Sequence, residues 1–332
     1  MKFNFKRNFS ECIGNTPIIK LKVASEISGC EIYGKCEFLN PGGSVKDRPA
    51  FQIIKDAIKK KKIEPGGTIV EGTAGNTGIG LCLVGNSIGM NSIIVMPRTQ
   101  SNEKKKMLKL CGAELKLVDA LPYKNPGNYI RYSETLAKSI TNKHGVLWAN
   151  QFDNLSNKKS HYLTTGPEIY NQLSQKVDAF ICSIGTGGTI SGVSEFLKEK
   201  NKNILIGLAD PMGSAMHNFY KNGKLKSTGS SITEGIGQGR ITKNLENTVI
   251  DESFQITDIE ALNIVYEMIN KEGLILGGSS GINIMGAVKL GKLIGPNKKI
   301  VTILCDYGTK YESKIFNKKF LKDKELPIPE WL

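Results

Sequence analysis

The chain has 332 residues, 39% of them apolar and 23% charged, which describes a soluble globular protein of about two domains with enough chain to build its core without disulfides or metal. Its formal charge of +14 comes from 40 lysines and only five arginines, so the arginine-led bidentate readout of nucleic acid is not expected, and the charge reads as a solvated lysine surface that mildly favours anionic small molecules. No window approaches the ~20 apolar residues of a membrane span, the basic start lacks the apolar stretch of a secretory signal, and seven scattered cysteines with three histidines show no metal-ligand spacing, so the expectation is a cytoplasmic protein with no membrane, nucleic-acid or metal partner.

In chain order the hydrophobic pattern predicts strands at 17–21 and 32–38, a helix at 49–61, and strand 68–71 with helix 77–87. Strand 92–96 with helix 101–111, strand 114–118 with helix 128–143, and strand 146–149 with helix 162–173 follow. Strand 178–183 with helix 189–199, strand 204–209, helices 258–272 and 281–294, and strand 299–305 complete the series. Strands alternating with helices mean an α/β fold with mainly parallel sheets, whose ligands bind beyond the strand carboxyl ends. The turn-rich stretch 213–236 reads as one long loop, a length that favours a functional role.

Glycine supplies 36 residues, about 11% against a usual ~7%, and much of the excess sits at strand-to-helix junctions. In Cys182-Ser-Ile-Gly-Thr-Gly-Gly-Thr-Ile-Ser-Gly192 a strand enters and a helix leaves, so the N–H groups of residues 185–189 can converge on an anion at a helix N-terminus. Ile190 stands where a dinucleotide fingerprint needs its third glycine, and no Gly-Lys-Ser/Thr follows, so the loop suits a single phosphate or a plain tight turn. Glu71-Gly-Thr-Ala-Gly-Asn-Thr-Gly-Ile-Gly80 has the same local form and suits a carboxylate, with capping alone as the alternative.

In Asn40-Pro-Gly-Gly-Ser-Val-Lys-Asp-Arg-Pro49, Ser44 and Asp47 have capping-box spacing, while Pro49 equally permits a helix that begins there. Either choice puts Lys46 at or just before a helix N-terminus, where a cation is disfavoured and a partly deprotonated or covalently neutralised amine is favoured. Gly277-Gly-Ser-Ser-Gly281 opens another helix, where its hydroxyls can meet a ring nitrogen or serve as an N-cap.

Together and in order, the segments around Lys46, Asn76, Gly185–Thr189 and Ser279 resemble the fold-type II pyridoxal-phosphate β-synthases. Asn150-Gln-Phe-Asp-Asn, Thr164-Thr-Gly-Pro-Glu-Ile169 and Glu234-Gly-Ile-Gly-Gln-Gly239 make the chain similar to the cysteine synthase (O-acetylserine sulfhydrylase) branch over about residues 10–315. The resemblance implies two three-layer α/β domains with pyridoxal 5'-phosphate in the cleft between them. The larger domain would hold residues 1–45 and 156–332, and the smaller, mobile domain residues 46–155. Lys46 would carry the Schiff base and move protons at the substrate α-carbon. Gly185, Thr186, Gly187, Gly188 and Thr189 would hold the phosphate, Asn76 the ring 3′-oxygen, and Ser279 would face the pyridine nitrogen. Thr73, Ala74, Gly75, Thr77 and Gln151 would receive the substrate carboxylate.

The implied reaction is β-replacement: O-acetyl-L-serine loses acetate, and sulfide adds to the resulting aminoacrylate to give L-cysteine. A neutral serine at the ring nitrogen makes the ring a weaker electron sink, which suits prompt loss of the β-leaving group. A homodimer is implied by the resemblance alone. One departure stands out: the family loop commonly reads Thr-Ser-Gly-Asn-Thr-Gly, and position 74 here is alanine. The alternatives are cystathionine β-synthase, an O-phosphoserine-using synthase, a serine dehydratase, and, from another class, a non-catalytic basic binding protein. The sequence has no haem segment or regulatory module of the kind some cystathionine β-synthases carry, which inclines the expectation toward sulfide.

Overall fold

The structure, a computed structural model, describes residues 5–332. In chain order its elements begin β1 (Ile18–Lys20), α1 (Lys22–Ser28), β2 (Glu31–Cys36), α2 (Asp47–Lys59), β3 (Thr68–Gly72), α3 (Asn76–Asn86), β4 (Asn91–Pro97) and α4 (Asn102–Leu110). Next come β5 (Glu114–Val118), α5 (Tyr129–Ser139), β6 (Val146–Trp148), α6 (Ser156–Ser160), α7 (Gly166–Gln172), β7 (Ala179–Cys182), α8 (Gly188–Lys200) and β8 (Leu205–Pro211). The chain ends with α9 (Met216–Asn222), β9 (Glu252–Ile256), α10 (Asp258–Glu272), α11 (Gly278–Ile294), β10 (Lys299–Leu304), α12 (Glu312–Ile315) and α13 (Lys318–Asp323).

The strands form two sheets. The larger has the order β1-β2-β10-β7-β8-β9, parallel except for the antiparallel edge pair β1–β2. The smaller, β5-β4-β3-β6, is parallel throughout. Both faces of the larger sheet are covered, and the burial pattern shows why its strands read as continuous apolar runs. On β7, Ala179 and Ile181 join one apolar cluster with α11, while Phe180 and Cys182 join another with α8. Successive side chains of a strand point to opposite faces, so every position of a central strand is buried. β3 behaves likewise in the smaller sheet, with all five residues buried.

The expected α/β architecture is met, with local differences. β9 was not anticipated: Glu-Ser-Phe-Gln-Ile holds only two apolar residues, as suits a strand that pairs on one side only at the sheet edge. The stretch read as one loop at 213–236 contains the short helix α9. The helix read at 162–173 starts earlier, at Ser156, and runs through a π turn at His161–Thr165, where Gly166 N–H reaches the His161 carbonyl. Long α10 shows orthodox end chemistry, with a Thr257–Glu260 capping box and Gly273 in the left-handed region at its C-terminus.

Candidate active site

The segments that follow β3, β6, β7 and β10, at their carboxyl ends, face a common cavity of about 510 Å³. It is lined by Lys46, Thr73, Ala74, Gly75, Asn76, Thr77, Gln151, Gly185, Thr186 and Ser279, and roofed by residues 231–238. A smaller cavity of about 20 Å³ shares Val45, Lys46, Gly185, Thr186, Ile236 and Cys305 with it and extends to Gly187 and Thr189. Gly188 lines neither: its Cα is packed against the Asn157 side chain, which leaves no room for a Cβ.

Lys46 lies where the two cavities meet. Neither expected helix start is realised, because α2 begins at Asp47 with Lys46 as N-cap. Ser44 Oγ accepts the Lys46 N–H at 3.2 Å, and the Asp47 carboxylate turns back to accept the Gly42 N–H at 2.5 Å instead of capping. Pro49 is tolerated because first-turn N–H groups have no intrahelical partner. Asp47 is fully buried, and burial raises its carboxyl to about 7 against the opposing pull of the Gly42 N–H and Lys310.

Arg48 anchors that first turn. Its guanidinium donates to Glu37 Oε2 at 2.6 Å and Oε1 at 2.8 Å, and to Glu168 Oε1 at 2.8 Å and Oε2 at 2.7 Å. Lys35 adds a 2.7 Å ion pair to Glu168. Burial works against the Glu168 carboxylate, but Arg48 and Lys35 prevail and hold it at about 2. Arg48 and Glu168 both stood inside motifs read for their resemblance, yet nothing local showed that the two motifs touch.

The glycine turn after β7 is a cradle. Gly187 has φ +86°, and a Cβ on Gly185 would collide with the Gly235 carbonyl. The N–H groups of Gly185, Thr186, Gly187 and Thr189 have no acceptor among the described residues. Thr186 Oγ1 accepts from Asn157 Nδ2 at 2.8 Å, which leaves its own proton free to donate. Thr189 Oγ1 lies 3.2 Å from Nε2 of His161, a residue that sequence reasoning passed over. His161 is fully buried at the π turn, and burial, with Arg48 and Lys46 nearby, pushes its pKa down, so the ring is neutral.

The other expected residues have partners of their own. Thr73 Oγ1 accepts the Gly75 N–H at 3.1 Å, and Gly75 has φ +139°. Thr77 Oγ1 donates to Gln151 Oε1 at 2.5 Å. Asn76, the first residue of α3, donates to Asp306 at 2.6 Å and accepts from Lys310 at 3.1 Å. Ser279 is the second residue of α11, whose N-cap is Gly277, so its hydroxyl is not spent on capping and meets the Cys305 thiol.

Known proteins resemble this arrangement over nearly the whole chain. A family model described as pyridoxal-phosphate dependent enzyme matches residues 9–306. The chain belongs to that family. A cysteine synthase 1 of Neurospora crassa is 46% identical over 98% of this chain and 88% of its own length. A cysteine synthase of Dictyostelium discoideum is 41% identical over 96% of this chain and 86% of its own. Among solved structures, an O-acetylserine dependent cystathionine β-synthase from Helicobacter pylori superposes with a TM-score of 0.85 at 32% identity, covering 94% of this chain and 99% of that one.

The residues present fit the family's cofactor. Unpartnered amides at the N-terminus of α8 suit a phosphate dianion, and the two glycines keep that surface bare. An amine, a neutral hydroxyl and a carboxamide, from Lys46, Ser279 and Asn76, line the adjoining cavity. Among the described residues no cluster of metal-ligating side chains occurs, and no helix is long and apolar enough to cross a membrane.

Proposed function

We propose that this protein is a cysteine synthase, forming L-cysteine and acetate from O-acetyl-L-serine and sulfide. The observation that carries the reading is the position of Lys46, between a bare amide cradle on one side and the Thr73–Thr77 turn with Gln151 on the other. The names of the relatives from Neurospora and Dictyostelium support the choice of product. Pyridoxal phosphate supplies an aldehyde that condenses with amines and a conjugated ring that takes up the electron pair left by a departing α-proton.

This chain's residues do the rest. The amides of Gly185, Thr186, Gly187 and Thr189 and the Thr186 hydroxyl would hold the phosphate, and the Gly188 amide would join them by giving up its bond to Thr186 Oγ1. Asn76 would meet the ring 3′-oxygen by giving up one of its present partners, Asp306 or Lys310. Ser279 would offer a hydroxyl to the pyridine nitrogen. The Lys46 amine takes the proton from the substrate α-carbon as acetate leaves and returns it after sulfide has added. Thr73, Ala74, Gly75, Thr77 and Gln151 receive the substrate carboxylate and fix the Cα–H bond toward Lys46. Residues 46–155 move as a unit to close the cleft, and the working form is a cytoplasmic homodimer.

A second reading changes only the acceptor. The Helicobacter neighbour is described as an O-acetylserine dependent cystathionine β-synthase, so homocysteine in place of sulfide is the competing thiol. Purified protein should be yellow, and borohydride should bleach the band and fix the label on Lys46. O-acetylserine with sulfide should yield cysteine, and Lys46→Ala should abolish both label and turnover while the fold is retained. A protein that makes no cysteine from that pair, yet reacts with homocysteine, would select the second reading.

A further inference from the structure

The carboxylate-receiving pair has a neighbour of unexpected chemistry. Gln151 spends both amide protons inward, on Glu71 Oε1 at 3.0 Å and on the Gly72 carbonyl at 3.2 Å. Its own oxygen is taken by the Thr77 hydroxyl. Neither side chain, in this arrangement, has a donor left for an anion in the cavity. Turning the Gln151 amide over would free one: Nε2 would face the cavity and Oε1 would face Glu71 and the Gly72 carbonyl. That orientation sets Oε1 against two acceptors; a proton on Glu71 turns one of these contacts into a hydrogen bond, whereas an ionised Glu71 leaves both repulsive.

Glu71 lies on β3 with 1% of its surface exposed, and its Oε2 has no hydrogen-bond partner among the described residues. Burial raises its carboxyl to about 8, against the Gln151 side chain and the backbone N–H groups of Gln151 and Asn150. Charged neighbours do not reverse this. β4, β6 and α3 carry no titratable residue except the Cys82 thiol. From α5 the half-buried Tyr129, which also lines the cavity, faces it; its phenol is pushed up to about 12 by desolvation, with Glu71 adding to the shift and Arg240 opposing it. The charged residues of α5 are turned away: Arg131 is exposed and Glu134 pairs with Lys138. Asp153, beyond Gln151, is paired with Arg240.

We propose that Glu71 is a positioning residue which, as a neutral acid, lets the Gln151 amide turn over and offer its NH2 to the amino-acid carboxylate. Thr77 is released by the same motion: its oxygen accepts from Gln151 and its proton goes to the substrate. Ionised Glu71 would lock the amide with its donors inward and would place a negative charge behind the cradle. This rests on the proposed function, since it assigns how that site takes up its amino acid.

The test is calorimetric titration of the yellow holoprotein with L-alanine, which has no β-leaving group, from pH 7 to 9.5. Wild type and Glu71→Gln should bind almost equally at pH 7. Above pH 8 wild type should weaken relative to the variant, by about tenfold at pH 9, because glutamine keeps both a donor and an acceptor at every pH. Glu71→Leu should bind at least tenfold more weakly throughout. A wild-type to Glu71→Gln ratio that stays flat across the range overturns the proposal, and so does Glu71→Leu binding as tightly as wild type at pH 7. Should the variants fail to fold, wild type alone decides. Deprotonation of the alanine amine tightens binding as pH rises, so a dissociation constant that falls steadily through pH 9 also overturns the proposal. Borohydride labelling of Lys46 on the same samples separates the two failures: a labelled, yellow protein with a flat ratio discards Glu71 alone, whereas a colourless, unlabelled protein discards the proposed function and this proposal with it.

Discussion

Arg48 and Glu168 meet through two parallel hydrogen bonds, 2.8 and 2.7 Å long, although 120 residues separate them in the chain. With Glu37 on the other side of the guanidinium, this pair holds the first turn of α2, two residues beyond Lys46, against α7 and the end of β2.

Replacing Arg48 by methionine should therefore cost about 3–5 kcal/mol, because it leaves Glu37 buried without a cation and Glu168 with Lys35 alone. Urea unfolding measures the loss. Arg48→Lys should recover only part of it, since an ammonium cannot reproduce two forked contacts.

The same network sets an acid limit. The Glu168 carboxyl is held at about 2 in the folded protein against an ordinary value near 4.5, so its contribution is complete above pH 4.5 and is lost as pH falls toward 2. A shift of that size amounts to roughly 3 kcal/mol. Glu168→Gln should be less stable at neutral pH and should lose less stability between pH 4.5 and 2. Denaturation midpoints across that range check the sign. Asp47, raised to about 7 by burial, acts in the opposite direction, so its contribution grows as pH falls from 7 toward 4.

Ala74 sits on the cavity wall without a hydroxyl, between Thr73 and Gly75. Ala74→Ser should add one donor toward the substrate carboxylate, worth about 1.5 kcal/mol, and lower KM for O-acetylserine roughly tenfold. If that bond is equally strong in substrate and transition state, kcat stays unchanged. Steady-state kinetics with saturating sulfide would show it.

The glycine turns and strand–helix alternation were legible because each rests on local rules. A residue held at φ +86° or +139° calls for glycine wherever the chain later goes, and Gly187 and Gly75 occupy those places. β9 was missed because an edge strand needs only half an apolar pattern, and α9 because seven residues carry too few turns to show a period. The helix start at Asp47 was missed for a different reason. Ser44 and Asp47 have the spacing of a cap, but the carboxylate found a better donor in Gly42 once the turn had closed.

By itself the sequence determined which segments bend, which are buried on both faces, and where bare amides gather at a helix start, since steric limits and side-chain period act over a few residues. Only the tertiary structure decided that Glu71 stands behind Gln151, that His161 reaches Thr189, and that Arg48 binds two acids at once. Those relationships depend on burial, and a carboxyl or an imidazole takes its charge state from neighbours that the chain brings in from 28 to 120 residues away.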